Sequence, residues 1–148
     1  MKIKHILFAF IAIVITSCNS KDDSDTSSTN LEINKQNLIG KWFVKEESIN
    51  GGSFENYQHD CSTLKDYQEL LVDSTMKFVG YDYNCQIIDF QEGIWYLDGT
   101  ELMISNYDPI IPPDFFTVLS VTIDDLKLKQ TVNTSNGVEV YEIHLTRN

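Results

Sequence analysis

The sequence predicts an all-β fold, an eight-stranded up-and-down antiparallel barrel built from residues 31–148. Three observations predict it. Hardly any stretch beyond Leu31 carries a helical period; short runs of β-branched and aromatic residues alternate with turn signals instead. The links between these runs are alternately short and long, as in a meander whose successive connections fall at opposite ends. Finally, the apolar residues of three hairpins fall on one face, with no amphipathic helix to cover it, so the sheet must close on itself.

The first run, Gly40 to Glu47, carries Trp42, Phe43 and Val44. Tyr67 to Val72 and Met76 to Tyr83 flank Asp73-Ser74-Thr75. Gly93 to Leu97 and Thr100 to Asn106 flank Asp98-Gly99, a pair suited to a two-residue hairpin turn. Phe115 to Ile123 and Leu126 to Val132 flank Asp124-Asp125, and Val138 to Arg147 follows Asn136-Gly137. The three short links close one end; the long links and the Asn136-Gly137 turn gather at the other. Two-residue turns at Asp98-Gly99, Asp124-Asp125 and Asn136-Gly137 pair Trp95 with Leu102, Ile123 with Leu126, and Leu128 with Leu145. Leu126 and Leu128 then share a face by two separate registers, as a continuous sheet requires. The expected interior is bulky: Trp42, Val44, Leu70, Val72, Met76, Phe78, Trp95, Leu97, Leu102, Ile104, Val121, Leu126, Leu128, Tyr141, Ile143 and Leu145.

Ahead of this domain, Met1-Lys2-Ile3-Lys4 is basic and the run Ile6 to Ile15 has no polar side chain. That run is shorter than the roughly 20 apolar residues of a membrane span and fits the core of a secretory signal. Ile15-Thr16-Ser17-Cys18 resembles the bacterial lipobox, which implies removal of residues 1–17, lipidation of Cys18 and anchorage in a membrane. Lys21-Asp22-Asp23 resembles a basic-plus-acidic signal that sends lipoproteins of one Gram-negative phylum to the cell surface; a periplasm-facing outer-membrane lipoprotein is the other possibility. Asn19 to Asn30 contains no apolar residue, so residues 18–30 read as a disordered tether. Loss of residues 1–17 removes two lysines and no acid, leaving 9 basic against 22 acidic residues, a net −13. Such a charge argues against nucleic acid, whose phosphates require Lys and Arg, and serves solubility.

Leu38-Ile39-Gly40-Lys41-Trp42 resembles the G-x-W opening of the first strand of lipocalins. Leu145-Thr146-Arg147-Asn148 resembles the closing strand of the lipocalin-like domain of small Gram-negative lipoproteins, and weaker similarity runs through Gly93 to Ile104 and Leu126 to Thr131. The resemblance implies that Trp42 plugs the closed end of the barrel with Arg147 stacked across it. It also implies a small hydrophobic ligand at the open end. The chain departs from lipocalins in having little sequence after its last strand, where their flanking helix would follow.

Folding Tyr67 to Val72 onto Met76 to Tyr83 brings Cys61 opposite Cys85 at the loop end. Beyond the inner membrane such a pair is expected to form a disulfide. No cysteine or serine has the spacing of a nucleophile with its base, no glycine run cradles phosphate, and no cofactor or metal set is evident; an enzyme is not expected. His144 lies between inward residues and should face solvent.

The link Asn106 to Phe116 is unusually apolar, with Ile110-Ile111 between prolines and then Phe115-Phe116. It reads either as the rim of a hydrophobic pocket or as a cork folded into a small barrel. Two functions follow. In one, the barrel binds a small apolar molecule at its open end, with Phe78, Trp95, Tyr107, Ile111 and Phe116 as candidate contacts. In the other it is filled, a surface module meeting a protein or a glycan.

Overall fold

The computed structural model describes residues 29–135 and 137–147. The expected signal segment, Cys18 and nearly all of the tether lie outside the described residues. Nine strands follow one short helix: α1 (Lys35–Leu38), β1 (Gly40–Ile49), β2 (Glu55–Asn56), β3 (Tyr67–Leu70), β4 (Thr75–Tyr81), β5 (Ile87–Asp98), β6 (Glu101–Asn106), β7 (Asp114–Val121), β8 (Asp125–Thr134) and β9 (Gly137–Thr146). From β3 to β9 each strand pairs antiparallel with the next, β3 also pairs with β1, and β9 returns to β1, closing an eight-stranded barrel. The two-residue β2 is an extra rung on β1 outside that ring.

The expected hairpin registers are each corrected by the same small step. Leu97, not Trp95, pairs with Leu102, so the turn is Gly99-Thr100. Val121, not Ile123, pairs with Leu126, because Thr122 closes a tight turn by donating its N–H to the Asp125 carbonyl (2.8 Å). Leu126 and Leu128 face Leu145 and Ile143. In every case the partner moves by two residues, and side chains alternate with a period of two. The faces therefore survive the error: Trp95, Leu102, Ile104, Leu126, Leu128 and Leu145 are all buried.

Val72 and Ile123 depart from the interior and strand places expected of them. Val72 is 71% exposed, since β3 stops at Leu70 and the turn begins there; Ile123 sits exposed in the β7–β8 turn. Val118 and Leu38, unforeseen, are core. β7 carries a bulge between Val118 and Ser120, which lets Val118 and Val121 both face inward although their spacing is odd.

The tight-turn end is sealed by the segment ahead of β1. Asn34 caps α1 by accepting from the Asn37 backbone N–H (3.0 Å), Leu38 is fully buried, and Leu31 and Ile33 pack on the core. Leu31 N–H donates to the Val121 carbonyl (2.8 Å), pinning this segment across the barrel base. Gly93 permits the β5–β6 contact: a Cβ there would lie 2.0 Å from the Ser105 carbonyl oxygen.

At the other end, Cys61 and Cys85 are joined in a disulfide with Cα atoms 4.9 Å apart. The β3–β4 register extrapolates to this pair without a slip. The first loop is also tied down by polar contacts. Tyr57 donates to Asp66 Oδ2 (3.1 Å), Asp66 Oδ1 accepts from Tyr81 N–H (2.9 Å), and His59 Nδ1 accepts from Asp66 N–H (3.0 Å). With Nδ1 accepting, the other ring nitrogen carries the proton and donates to the Val44 carbonyl (3.1 Å). His59 is thus a neutral structural bridge, and its 3.6 Å approach to Asp66 Oδ2 is a by-product of the backbone contact.

Candidate functional site

The barrel interior divides along its length. Around Trp42, Leu70, Leu102, Ile104, Leu126, Leu128 and Leu145 the residual void is about 10 Å³, no more than one water. Above it, toward the loop end, opens a cup of about 310 Å³ lined by Gln68, Met76, Phe78, Asp89, Gln91, Ile104, Asn106, Asp114 and Phe116. Gln68 and Ile104 border both spaces and form the boundary. Side chains therefore fill the closed half and leave the open half hollow.

Each wall of the cup is positioned by strand alternation. On β4, Met76 and Phe78 point inward; on β6, Ile104 and Asn106; on β7, Asp114 and Phe116. β5 supplies Asp89 and Gln91. The strand begins at Ile87, not at Gly93 as the sequence suggested, and its additional half alternates in reverse: Ile88 and Phe90 are exposed while Asp89 and Gln91 line the cup. The mouth is polar and internally ordered. Gln130 donates to Asp114 Oδ1 (2.9 Å), and Gln91 donates to both oxygens of Asp89 (3.2 Å each).

Of the five candidate contacts, the structure brings Phe78 and Phe116 together in the cup. The other three lie outside it. Trp95 lies near the closed end, 1% exposed, with its indole N–H donated to the Leu71 carbonyl (2.9 Å) and Lys35 Nζ 5.3 Å from its ring centre. Its place follows from the β5–β6 hairpin, which turns at the closed end. Tyr107 and Ile111 are 61% and 45% exposed and do not line the cup. The cork is overturned with them: Ile110 is 87% exposed, and the link is shaped by an Asx turn in which Asp108 accepts from Ile110 N–H (2.9 Å). Asp89, Gln91, Asn106 and Asp114 were not foreseen, because a polar residue facing into a barrel reads in sequence as a polar residue facing water.

At the closed end the Arg147 guanidinium carbon stands 4.0 Å over the Trp42 ring. Its Nη1 and Nη2 donate to the carbonyls of Ile39 (2.9 Å) and Asn37 (3.0 Å), and the Trp42 indole N–H donates to the Leu38 carbonyl (2.8 Å). Burial lowers the Arg147 pKa from its ordinary value, with Asp124 pulling the other way.

A second concavity of about 300 Å³ lies on the outer wall, along the cross-strand row Ser120, Lys127, His144 and Glu46. His144 faces outward as expected, but it is half-buried: Phe54 stacks on it at 4.1 Å and Glu46 Oε1 lies 2.8 Å from Nδ1. No group of three metal-binding side chains occurs among the described residues.

Neither a family model nor a curated relative matches the chain. Solved structures do. Lobster apocrustacyanin A1 superposes with a TM-score of 0.54 at 17% identity, over 78% of this chain and 63% of its own. This chain therefore spans less than two thirds of that protein. Apocrustacyanin C1 gives 0.54 at 15% identity over the same shares. An uncharacterized protein from Bacteroides eggerthii gives 0.52 at 11% identity, over 72% of this chain and 98% of its own. At these identities the likeness is one of fold, and that fold is a lipocalin-like β-barrel.

Proposed function

We propose that the chain is a membrane-anchored lipoprotein whose barrel takes a small, largely apolar ligand into the open-end cup. In this reading residues 1–17 are removed, Cys18 carries the lipid, residues 18–30 form the tether and residues 31–148 the working domain. The placement is the outer membrane, at the cell surface or on the periplasmic face, as in the small Gram-negative lipoproteins whose closing strand Leu145 to Asn148 resembles. The protein carries its ligand without chemical change.

The observation that carries the ligand reading is the cup itself. Its volume of about 310 Å³ is at the lower end of small-molecule sites, and four apolar residues, Met76, Phe78, Ile104 and Phe116, share its lining with five polar ones. A packed barrel of eight strands has no need of such a space. The test is a fluorescence titration of the purified protein with the neutral probe phenylnaphthylamine. Saturable binding that is lost on Phe116→Asp supports the reading; a flat titration contradicts it.

A second reading is favoured by the outer wall, where Ile88, Phe90, Ile94, Tyr96 and Phe115 are exposed on β5 and β7. An apolar band of this kind suits a protein- or glycan-interaction module. The two readings use opposite faces of the same strands.

A further inference from the structure

We propose that the cup selects a ligand with a cationic head on a compact apolar body, and rejects the matching carboxylate. This inference rests on the ligand-binding reading above and deepens it. The floor is apolar: Met76, Phe78, Ile104 and Phe116. The charged groups in the lining are the carboxylates of Asp89 and Asp114; the remaining polar groups are the amides of Gln68, Gln91 and Asn106, and there is no Lys, Arg or His in the lining. Among the described residues no ion pair joins a cation to either carboxylate. Each is held by a glutamine amide, Gln91 on Asp89 and Gln130 on Asp114, which orients the carboxylate and leaves its charge in place.

The consequences follow from electrostatics at a concave mouth. An ammonium group entering there meets two acceptors with their geometry already fixed, and part of the ordering cost of binding has been met beforehand. A carboxylate entering meets two like charges and no donor stronger than an amide, a repulsive element of the kind that gives specificity. The wider field acts in the same direction, because the chain carries a net charge of −11 and a cleft of one sign concentrates counter-charged solutes. The volume sets the body: an open cup of about 310 Å³ accommodates a fused bicyclic ring or a short branched chain, and a long acyl chain would project into solvent.

The experiment is isothermal titration of the purified protein with naphthylethylamine, naphthylethanol and naphthylacetate, which share a ring and differ in head group. The amine is expected to bind roughly 10-fold tighter than the acid at low salt, the sum of modest gains and losses at exposed carboxylates, with the alcohol between them. Raising the salt to about 1 M should shrink that ratio severalfold, since exposed charges are then screened. Asp89→Asn combined with Asp114→Asn should bring the ratio close to one, and the salt series on the unaltered protein tests the same point without any variant. If the alcohol binds but amine and acid bind equally, the charge selection is wrong and the ligand-binding reading stands. A ratio that survives both high salt and the double variant overturns the role of these carboxylates. If none of the three binds, the ligand-binding reading fails, and this inference with it.

Discussion

The guanidinium of Arg147 lies 4.0 Å over the ring of Trp42 and donates to the carbonyls of Ile39 and Asn37, so the residue that follows β9 clasps the segment that leads into β1. Gly40 makes room for this clasp. Its φ is +134°, and a Cβ there would stand 2.1 Å from Arg147 Nη1. The G-x-W spacing thus has a physical meaning in this chain: the glycine admits the arginine, and the tryptophan two residues on receives it. Arg147→Ala should cost about 2 to 4 kcal/mol, from the cation–π contact and two charge-assisted hydrogen bonds. Gly40→Ala should cost a similar amount through displacement of the same guanidinium. Urea denaturation checks both. Near-additive losses in the double variant would show that the two residues act separately, contrary to this account.

The Cys61–Cys85 disulfide closes a loop with a sequence separation of 24. In the chain-entropy model a loop of that size is worth about 3 kcal/mol. Paired Cys61→Ser and Cys85→Ser substitution, or reduction by dithiothreitol, should lower the denaturation midpoint accordingly. The closed end, remote from the bond, should retain its near-ultraviolet tryptophan signal below that midpoint.

Tyr57 is pushed from 10.0 up to about 12, first by burial and then by the Asp66 carboxylate that accepts a hydrogen bond from its hydroxyl. The sign follows from which state holds the proton. Unfolded tyrosine ionises near 10, and the folded state keeps its proton to about 12. The contribution is complete below about pH 10 and is lost as pH rises through about 12. Stability measured between these limits should fall more steeply for the native protein than for Tyr57→Phe. At neutral pH the variant should be less stable by about 1 kcal/mol through the lost hydrogen bond. Parallel pH profiles would contradict the assignment.

Cys18→Ala should abolish membrane retention in cell fractionation and leave the protein with an unmodified mass. One acyl chain binds a membrane only marginally, whereas several hold firmly. Unchanged mass and retention would sink the anchor.

Most of the barrel was legible because its closed half obeys one rule, apolar in and polar out. Trp95, Leu102, Leu126, Leu128 and Leu145 stay inside even when a hairpin register is displaced by a residue on each strand, since a shift of two preserves the face. The Cys61–Cys85 pairing was legible for a related reason, as strand register carries into the loop beyond it. The cup was not legible because β5 reverses the rule. From Ile88 to Gln91 its apolar residues are exposed and its polar ones line the cup, so the alternation was present but carried no sign of which face was the interior. The apolar link around Ile110 misled for the opposite reason: hydrophobicity indicated burial, and the link is exposed. Trp95 stands beside the β5–β6 turn, which assigns it to the closed end.

The most direct test of the account asks which face of the barrel wall holds the ligand. Heteronuclear NMR shift mapping of the labelled protein with naphthylethanol should perturb Phe78, Ile104 and Phe116 inside the cup and leave Ile88, Phe90 and Tyr96 on the outer wall unmoved. Perturbations confined to that outer band, or none at saturating probe, would contradict it.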